Sequence, residues 1–267
     1  MAETGKQAKY YRIGTMKVEV HPSSQAAGAA AARAAGKKAL VELAQTRDEV
    51  GVIFATGASQ FETLNEFTRI PSLPWGQVLG FHMDEYVGIA LDHSASFRRY
   101  LRERLSGKVR MKEFFEIDAS ATDPEKTSRD YAARLRSASP QLCFLGIGEN
   151  GHLAFNDPPV ADFADPLDAK VVQLDTVCRR QQMAEGWFDS VDQVPERAIT
   201  LTIAALFRVP TLIVFVPGSR KAKIVRRSFE EPVSTSCPAT VLRTHPNATV
   251  YLDVESASEL DGALISE

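Results

Sequence analysis

The chain has 267 residues, of which 44% are hydrophobic and 24% are charged, and its formal net charge at pH 7 is -3. This composition predicts a globular protein with a sizeable core and excludes extensive disorder. The weak negative charge gives no reason to expect nucleic acid or an anionic membrane as the main partner. At this length one α/β domain over residues 1–267 is sufficient.

The three cysteines, Cys143, Cys178 and Cys237, lack the CxxC spacing of metal and redox motifs. They predict reduced thiols in a cytosol, and Cys143 is expected to fill space inside an apolar strand. The first residues contain no apolar segment like that of a secretion signal, and no apolar run reaches the roughly eighteen residues that span a bilayer. We therefore expect a soluble cytoplasmic protein with no membrane partner.

In chain order, apolar strands alternate with helices. Strands are expected at residues 17–20, 50–56, 77–81, 113–117, 142–145, 170–174, 197–202, 211–216 and 248–253. A helix is expected at 24–45 with Ser23 or Ser24 as its cap, one from Ser59 to about Arg69, and one at 96–105 with its arginines on a solvated face. Further helices are expected at 123–137, capped by Asp123 with Pro124 at its first position, and as a short helix before 209. The last are expected at 217–230, near 238–242 and from Ser256. Residues 160–170 lack periodicity and predict a mobile connection. The alternation predicts a three-layer, Rossmann-like α/β fold whose mostly parallel sheet has helices on both faces.

The residues from Leu142 to Pro159, LCFLGIGENGHLAFNDPP, are the most informative stretch of the chain. An apolar strand is followed by a glycine turn and then by a cluster of polar side chains, which is how α/β folds place chemistry at the carboxyl end of a sheet. The alternative is a plain tight turn with a surface histidine. The density of polar groups directly after a buried strand favours a functional loop.

Two further strand ends carry small residues before a helix. The strand at 50–56 enters the turn Thr56-Gly57-Ala58-Ser59, and the strand at 211–216 enters Pro217-Gly218-Ser219-Arg220-Lys221. Free backbone N–H groups at a helix start suit a phosphate. The first turn lacks the lysine of a P-loop and the GxGxxG spacing, so a structural turn is about equally consistent with it.

The strand at 77–81 ends in the sequence His82-Met83-Asp84-Glu85-Tyr86. If Asp84 is partly buried there, the loss of hydration would raise its pKa and make it a candidate base. Later in the chain, Arg179 and Arg180 could face an anion, although an exposed basic turn explains them equally well.

Five motifs, in one order along nearly the whole chain, resemble those of the glucosamine-6-phosphate deaminases. They are ATGAS at 55–59, FHMDEYVG at 81–88 with DHSASF at 92–97, LGIGENGHLAFNDP at 145–158, QVPERAITLT at 193–202 and PGSRKA at 217–222. The related 6-phosphogluconolactonases share the fold and a similar loop, but MDEYVG and GHLAFND are more similar to the deaminases.

The resemblance implies an aldose–ketose isomerisation with loss of ammonia from an amino-sugar phosphate, with no metal and no organic cofactor. Asp84 would move a proton between C2 and C1 of the opened sugar. His152 would open the pyranose ring, with Asn150 and Asp157 orienting its imidazole. The phosphate would be bound by Thr56, Gly57, Ala58, Ser59 and Lys221.

Two residues depart from the family pattern. Asn150 stands where an acid is usual, and an amide cannot stabilise an imidazolium by charge. Asp157 stands where a glutamate is usual and is shorter by one methylene, about 1.5 Å. In addition, the phosphate-binding arginine that the family often supplies after its Asp-Thr sequence is not evident, since Gln181 and Gln182 stand near that register.

Two other functions remain open at the level of the sequence. A lactonase acting on a sugar-acid phosphate would use His152 to activate water and would not need Asp84. A non-catalytic sugar-phosphate sensor would explain the substituted Asn150 and Asp157, although the intact MDEY sequence favours an enzyme. The expected partner is a small phosphosugar, and a homo-oligomer is possible.

Overall fold

The computed structural model describes residues 7–261 of the chain. Its strands are β1 (Lys9–Ile13), β2 (Met16–His21), β3 (Val50–Phe54), β4 (Val78–His82), β5 (Asp84–Tyr86), β6 (Glu113–Phe115), β7 (Leu142–Leu145), β8 (Ala169–Gln173), β9 (Arg197–Leu201), β10 (Thr211–Val216) and β11 (Ala248–Asp253). Its α-helices are α1 (Ser24–Arg33), α2 (Val41–Thr46), α3 (Phe61–Arg69), α4 (Phe97–Leu101), α5 (Pro124–Ala138), α6 (Thr176–Ala184), α7 (Ile203–Phe207) and α8 (Ala222–Glu230).

Eight strands form the main sheet in the order β1-β2-β11-β10-β7-β3-β4-β6. All its pairs are parallel except the hairpin of β1 and β2. Every residue of β3, β4 and β7 is buried, so both faces of the sheet are covered at its centre, as expected for apolar parallel strands. The predicted mostly parallel α/β fold is therefore confirmed.

The order of the central strands determines where a site can form. Because β10, β7, β3 and β4 are neighbours and run parallel, their carboxyl ends lie side by side at one edge. The polar loops that follow these four strands therefore meet, although they are far apart in the sequence.

A second, three-stranded antiparallel sheet of order β5-β9-β8 was not predicted. The chain leaves the main sheet after His82 and pairs at once with β9, whereas residues 84–86 were expected only as the end of the strand at 77–81. Tyr86 packs beneath this sheet against Phe97 and Phe155, with ring centroids 5.1 and 5.3 Å away. Such aromatic packing stabilises the strand that carries Asp84. The single-domain organisation stays a prediction.

The predicted helix at 24–45 is continuous, but its middle turns, Ala34–Leu40, have the wider π-helical geometry. Ser23 caps it by accepting a hydrogen bond from the Ala26 amide. Hairpin strand β1 was missed, because its residues do not alternate clearly between apolar and polar. The predicted closing helix is wrong as far as the structure describes the chain. Ser256 donates its amide to Asp253 Oδ1 at 2.7 Å and forms a turn instead; residues 262–267 lie outside the described part.

The arginine-rich helix at 96–105 is not simply a solvated face. Arg98 is buried, and its guanidinium contacts Asp118 Oδ1 at 2.6 Å and Glu85 Oε2 at 3.6 Å. The irregular segment before β8 is joined to the rest of the fold by ion pairs, because Asp165 contacts Lys170 of β8 and Asp168 contacts two arginines. Charge in both places stabilises the fold around the strand ends.

Candidate functional site

One cleft lies over the carboxyl ends of β10, β7, β3 and β4, and it brings together most of the residues singled out from the sequence. Its charged and polar lining residues are Thr56, Ser59, Asp84, His152, Gln181, Gln182, Glu185 and Lys221. Glycines at 57, 146 and 148 also line it. Three strand-end loops and the turn before α8 therefore converge, as the sequence predicted.

Asp84 begins β5 and is 5% exposed at the floor of the cleft. Its carboxylate accepts a hydrogen bond from Thr56 Oγ1 at 3.4 Å. Burial, and secondarily the charge of Glu85, raises the pKa of Asp84 to about 8, while the Thr56 hydroxyl opposes the rise. A carboxyl group of this pKa can take a carbon-bound proton and return it near neutral pH.

The neighbouring Glu85 points the other way and has a structural role. Its two oxygens accept hydrogen bonds from the backbone amides of residues 86, 97 and 98 and from the Ser96 hydroxyl. Burial raises the pKa of Glu85, and these four bonds oppose the rise. Four hydrogen-bond donors point at the two oxygens of Glu85. The ionised carboxylate can accept all four, whereas the O–H of a protonated acid would face one of them, so the anion fits this pocket. Its charge is one reason why Asp84 holds its proton.

His152 is placed by a glycine-rich turn. The Gly148 amide donates to the His152 carbonyl at 3.0 Å, and Gly151 has a φ of 90°, a conformation that favours glycine. A Cβ on Gly148 would stand 2.1 Å from His152 Nε2, so only glycine lets the ring lie there. The glycines of the sequence motif thus determine where the imidazole of His152 can lie.

The Nδ1 atom of His152 meets two oxygens, at 2.8 Å from Asn150 Oδ1 and 2.9 Å from Asp157 Oδ1. Asn150 also donates its amide to Asp157 at 2.9 Å, which joins the three side chains. Burial opposes ionisation of Asp157, but its hydrogen bond with His152 and the charge of that ring outweigh it, so the pKa of Asp157 is lowered. The shorter aspartate therefore reaches the imidazole, and Nε2 is left to face the cleft.

The two glycine turns before α3 and α8 have the same geometry. Gly57 and Gly218 have φ values of 96° and 88°, and each is followed by one 3-10 turn that leads into the helix. Tyr100 donates its hydroxyl to the Gly57 carbonyl at 2.9 Å, which supports the first turn from outside. Ala58 lies in this turn but lines a neighbouring cavity.

Lys221 enters the cleft from the second turn. Its ammonium donates to the Ile147 carbonyl at 2.8 Å, at the end of β7. Burial lowers the pKa of Lys221, and the negative charge of Glu185 opposes that shift. A buried ammonium with further donor hydrogens is suited to an anionic ligand.

Helix α6 supplies residues that the sequence did not indicate as site residues. Gln181 accepts a hydrogen bond from the Glu149 amide at 2.8 Å, and Gln182 accepts one from the Tyr86 hydroxyl at 2.7 Å. Arg179 instead donates to the carbonyls of residues 191 and 194, and neither it nor Arg180 lines the cleft. The suggestion that these arginines face an anion is not supported. Asp175 caps α6, so the sequence carries a local signal for the start of this helix but none for its place at the cleft.

His152, Asp157 and Cys178 also form the one group of three possible metal ligands that we find between residues 7 and 261, with ligand atoms within 4.8 Å of one another. Burial, and then the charge of Asp157, raises the pKa of Cys178 and disfavours the thiolate that a metal would require. The group therefore fits proton handling better than metal binding. All three cysteines are free and buried.

Comparison with known proteins gives a consistent result. A family model described as glucosamine-6-phosphate isomerases/6-phosphogluconolactonase matches residues 23–251. A glucosamine-6-phosphate deaminase of Exiguobacterium sibiricum is 33% identical over 219 residues, which are 82% of this chain and 84% of that protein. One of Bacillus thuringiensis is 31% identical over 233 residues, 87% of each chain.

Solved structures of both kinds of protein in this family superpose on the chain. A monomeric glucosamine-6-phosphate deaminase superposes with a TM-score of 0.81 at 26% identity, covering 91% of this chain and 99% of that one. A 6-phosphogluconolactonase of Thermotoga maritima gives 0.71 at 18% identity, covering 89% and 99%. Within residues 7–261, no helix is long and apolar enough to cross a bilayer.

Proposed function

This chain belongs to the family of glucosamine-6-phosphate isomerases and 6-phosphogluconolactonases, and from that membership we propose that it is an enzyme that converts glucosamine 6-phosphate to fructose 6-phosphate and ammonia. The observation that carries the proposal is one cleft that combines a buried carboxyl of pKa about 8, Asp84, with the imidazole of His152. Deamination of an amino sugar needs a base at C2, which lactone hydrolysis does not.

The first step is ring opening by His152. The imidazole, oriented at Nδ1 by Asn150 and Asp157, uses Nε2 to take the proton of the anomeric hydroxyl and to deliver a proton to the ring oxygen. The bond between C1 and the ring oxygen breaks, and C1 becomes an aldehyde. The Asp157 carboxylate stabilises the protonated ring during this exchange, a role that the neutral Asn150 cannot take.

The second step is proton transfer by Asp84. Its ionised form removes the proton from C2 while O1 takes a proton from water, which gives an enolamine. The resulting carboxylic acid returns its proton to C1, the amino nitrogen gives a proton back to water, and the product is an imine at C2. Water then adds to this carbon, the C–N bond breaks, and ammonia leaves behind the ketone of fructose 6-phosphate. Atoms balance with the uptake of one water molecule.

The phosphate is assigned to the turn of Thr56, Gly57 and Ser59 together with Lys221. Ala58 belongs to this turn through its backbone. Gly57 opens the turn so that backbone amides face the ligand, and Lys221 supplies the opposite charge. This assignment needs no cofactor, because the reaction moves protons and adds water.

The direct test is incubation of the purified protein with glucosamine 6-phosphate while ammonia and fructose 6-phosphate are measured in equal amounts. The matched control is Asp84→Asn, which keeps the shape of the side chain but cannot act as a base. Activity of the unaltered protein no greater than that of this variant would refute the proposal.

The same proteins separate the alternatives. If 6-phosphogluconolactone were hydrolysed by Asp84→Asn and not by His152→Ala, the protein would be a lactonase. If phosphosugar raised the melting temperature of the unaltered protein without any product, it would be a sensor. The cytoplasmic location and a possible homo-oligomer stay predictions, to be checked by cell fractionation and by light scattering.

A further inference from the structure

The charges in the cleft are unusual for a site that takes a phosphate dianion. Among the described residues that line it, the titratable ones are Asp84, His152, Glu185 and Lys221. Lys221 is therefore the one lysine or arginine among these described residues, and Glu185 brings a carboxylate into the same space. A phosphate group would experience attraction from one and repulsion from the other.

The position of Glu185 is defined by hydrogen bonds. Its two oxygens accept from Gln181 Nε2 at 2.8 Å and from Trp187 Nε1 at 3.3 Å. A Cβ built on Gly57 would stand 3.8 Å from Glu185 Oε2, so the carboxylate lies against the turn assigned to phosphate. Glu185 is only half-buried, so part of the residue faces solvent.

The contacts around Glu185 continue into the turn itself. The Trp187 ring packs edge-on against Tyr100 with centroids 6.5 Å apart, and the Tyr100 hydroxyl donates to the Gly57 carbonyl. The carboxylate, the two aromatic rings and the turn thus form one contiguous structure at the anion-binding end of the cleft.

We propose that Glu185 determines phosphate affinity in this enzyme. Its carboxylate lies against the Gly57 turn in the cleft that Lys221 also lines, and an incoming phosphate must displace it. The inference rests on the proposed function for its substrate. The proposed role of Glu185 implies that the site binds the phosphate group weakly, because the phosphate must take the place of the Glu185 carboxylate.

The test is the binding of inorganic phosphate to the unaltered protein and to Glu185→Gln by calorimetry, at constant ionic strength. The amide keeps the shape and removes the charge, so the Kd for phosphate should fall about tenfold. The KM for glucosamine 6-phosphate should fall in parallel. Glu196→Gln, a change of the same charge at an exposed residue outside the cleft, should leave both values as they are.

A phosphate Kd that is unchanged or higher in Glu185→Gln would overturn the proposal. Glu185→Ala provides a second variant if the glutamine fails to fold, and its phosphate Kd should also fall. Because phosphate binding is measured without turnover, the result is independent of ammonia release. If the protein produced no ammonia but Glu185→Gln bound phosphate more tightly, the proposed function would fail and the role of Glu185 would stand.

Discussion

Replacing Asp84 by asparagine should make the protein more stable and inactive at the same time. The pKa of this carboxyl rises from 3.8 to about 8 on folding, so at pH 7 the folded protein retains a proton that the unfolded chain has lost. Each pKa unit corresponds to about 1.36 kcal/mol, and the interval from 3.8 to pH 7 therefore costs roughly 4 kcal/mol of folding free energy. Asparagine has no such cost.

The pH dependence of folding stability determines whether Asp84→Asn stabilises or destabilises the protein. Below the unfolded pKa of 3.8 both states are protonated and Asp84 has no effect on stability. As pH rises towards about 8, the unfolded chain is ionised while the folded chain is not, so stability is progressively lost. The advantage of Asp84→Asn should thus be near zero at about pH 4, reach roughly 4 kcal/mol at pH 7 and level off above about pH 8.

Urea unfolding of the two proteins between pH 4 and pH 9, followed by tryptophan fluorescence, measures this difference. The control is Glu85→Gln, a change of the neighbouring carboxylate. Since four donors surround Glu85, an amide would leave at least one of them facing another donor and should destabilise the protein by about 1–3 kcal/mol. Equal stability of Asp84→Asn and the unaltered protein at pH 8 would refute the reasoning, because the buried charge would then carry no cost.

Further predictions concern the same cleft. The kcat/KM for glucosamine 6-phosphate should rise with pH to about 8, because Asp84 must be ionised to remove a proton; a flat profile from pH 6 to 9 would contradict this. Tyr100→Phe loses the hydrogen bond to the Gly57 carbonyl, worth about 1 kcal/mol, and should raise KM about fivefold in steady-state assays. Gly57→Ala places a side chain at a φ of 96° and should raise KM about tenfold, with correct folding checked by circular dichroism. Lys221→Met removes the cation of the cleft and should weaken phosphate binding at least about tenfold by calorimetry; unchanged binding would remove Lys221 from the anion site.

Local features of the sequence were enough to indicate most of the elements and several of the site residues. Apolar runs ending in glycine predicted the central strands and their turns, because a buried parallel strand and a left-handed turn each impose a composition of their own. The cap of α5 was predicted for the same reason, since Asp123 and Pro124 satisfy a local geometric need. The five ordered motifs indicated the family, and the family match confirms it.

Tertiary structure decided what no local pattern contains. Asp84 and Glu85 are adjacent carboxylates, but alternate residues of a strand face opposite sides, so one enters the cleft and the other meets the donors of residues 96–98. The second sheet depends on pairing between three short strands that are distant in the chain. Glu185 reaches the Gly57 turn only because α6 folds back over the strand ends. A sequence specifies which side chains are available, whereas their charges act through space, and the distances between them exist only in the folded chain.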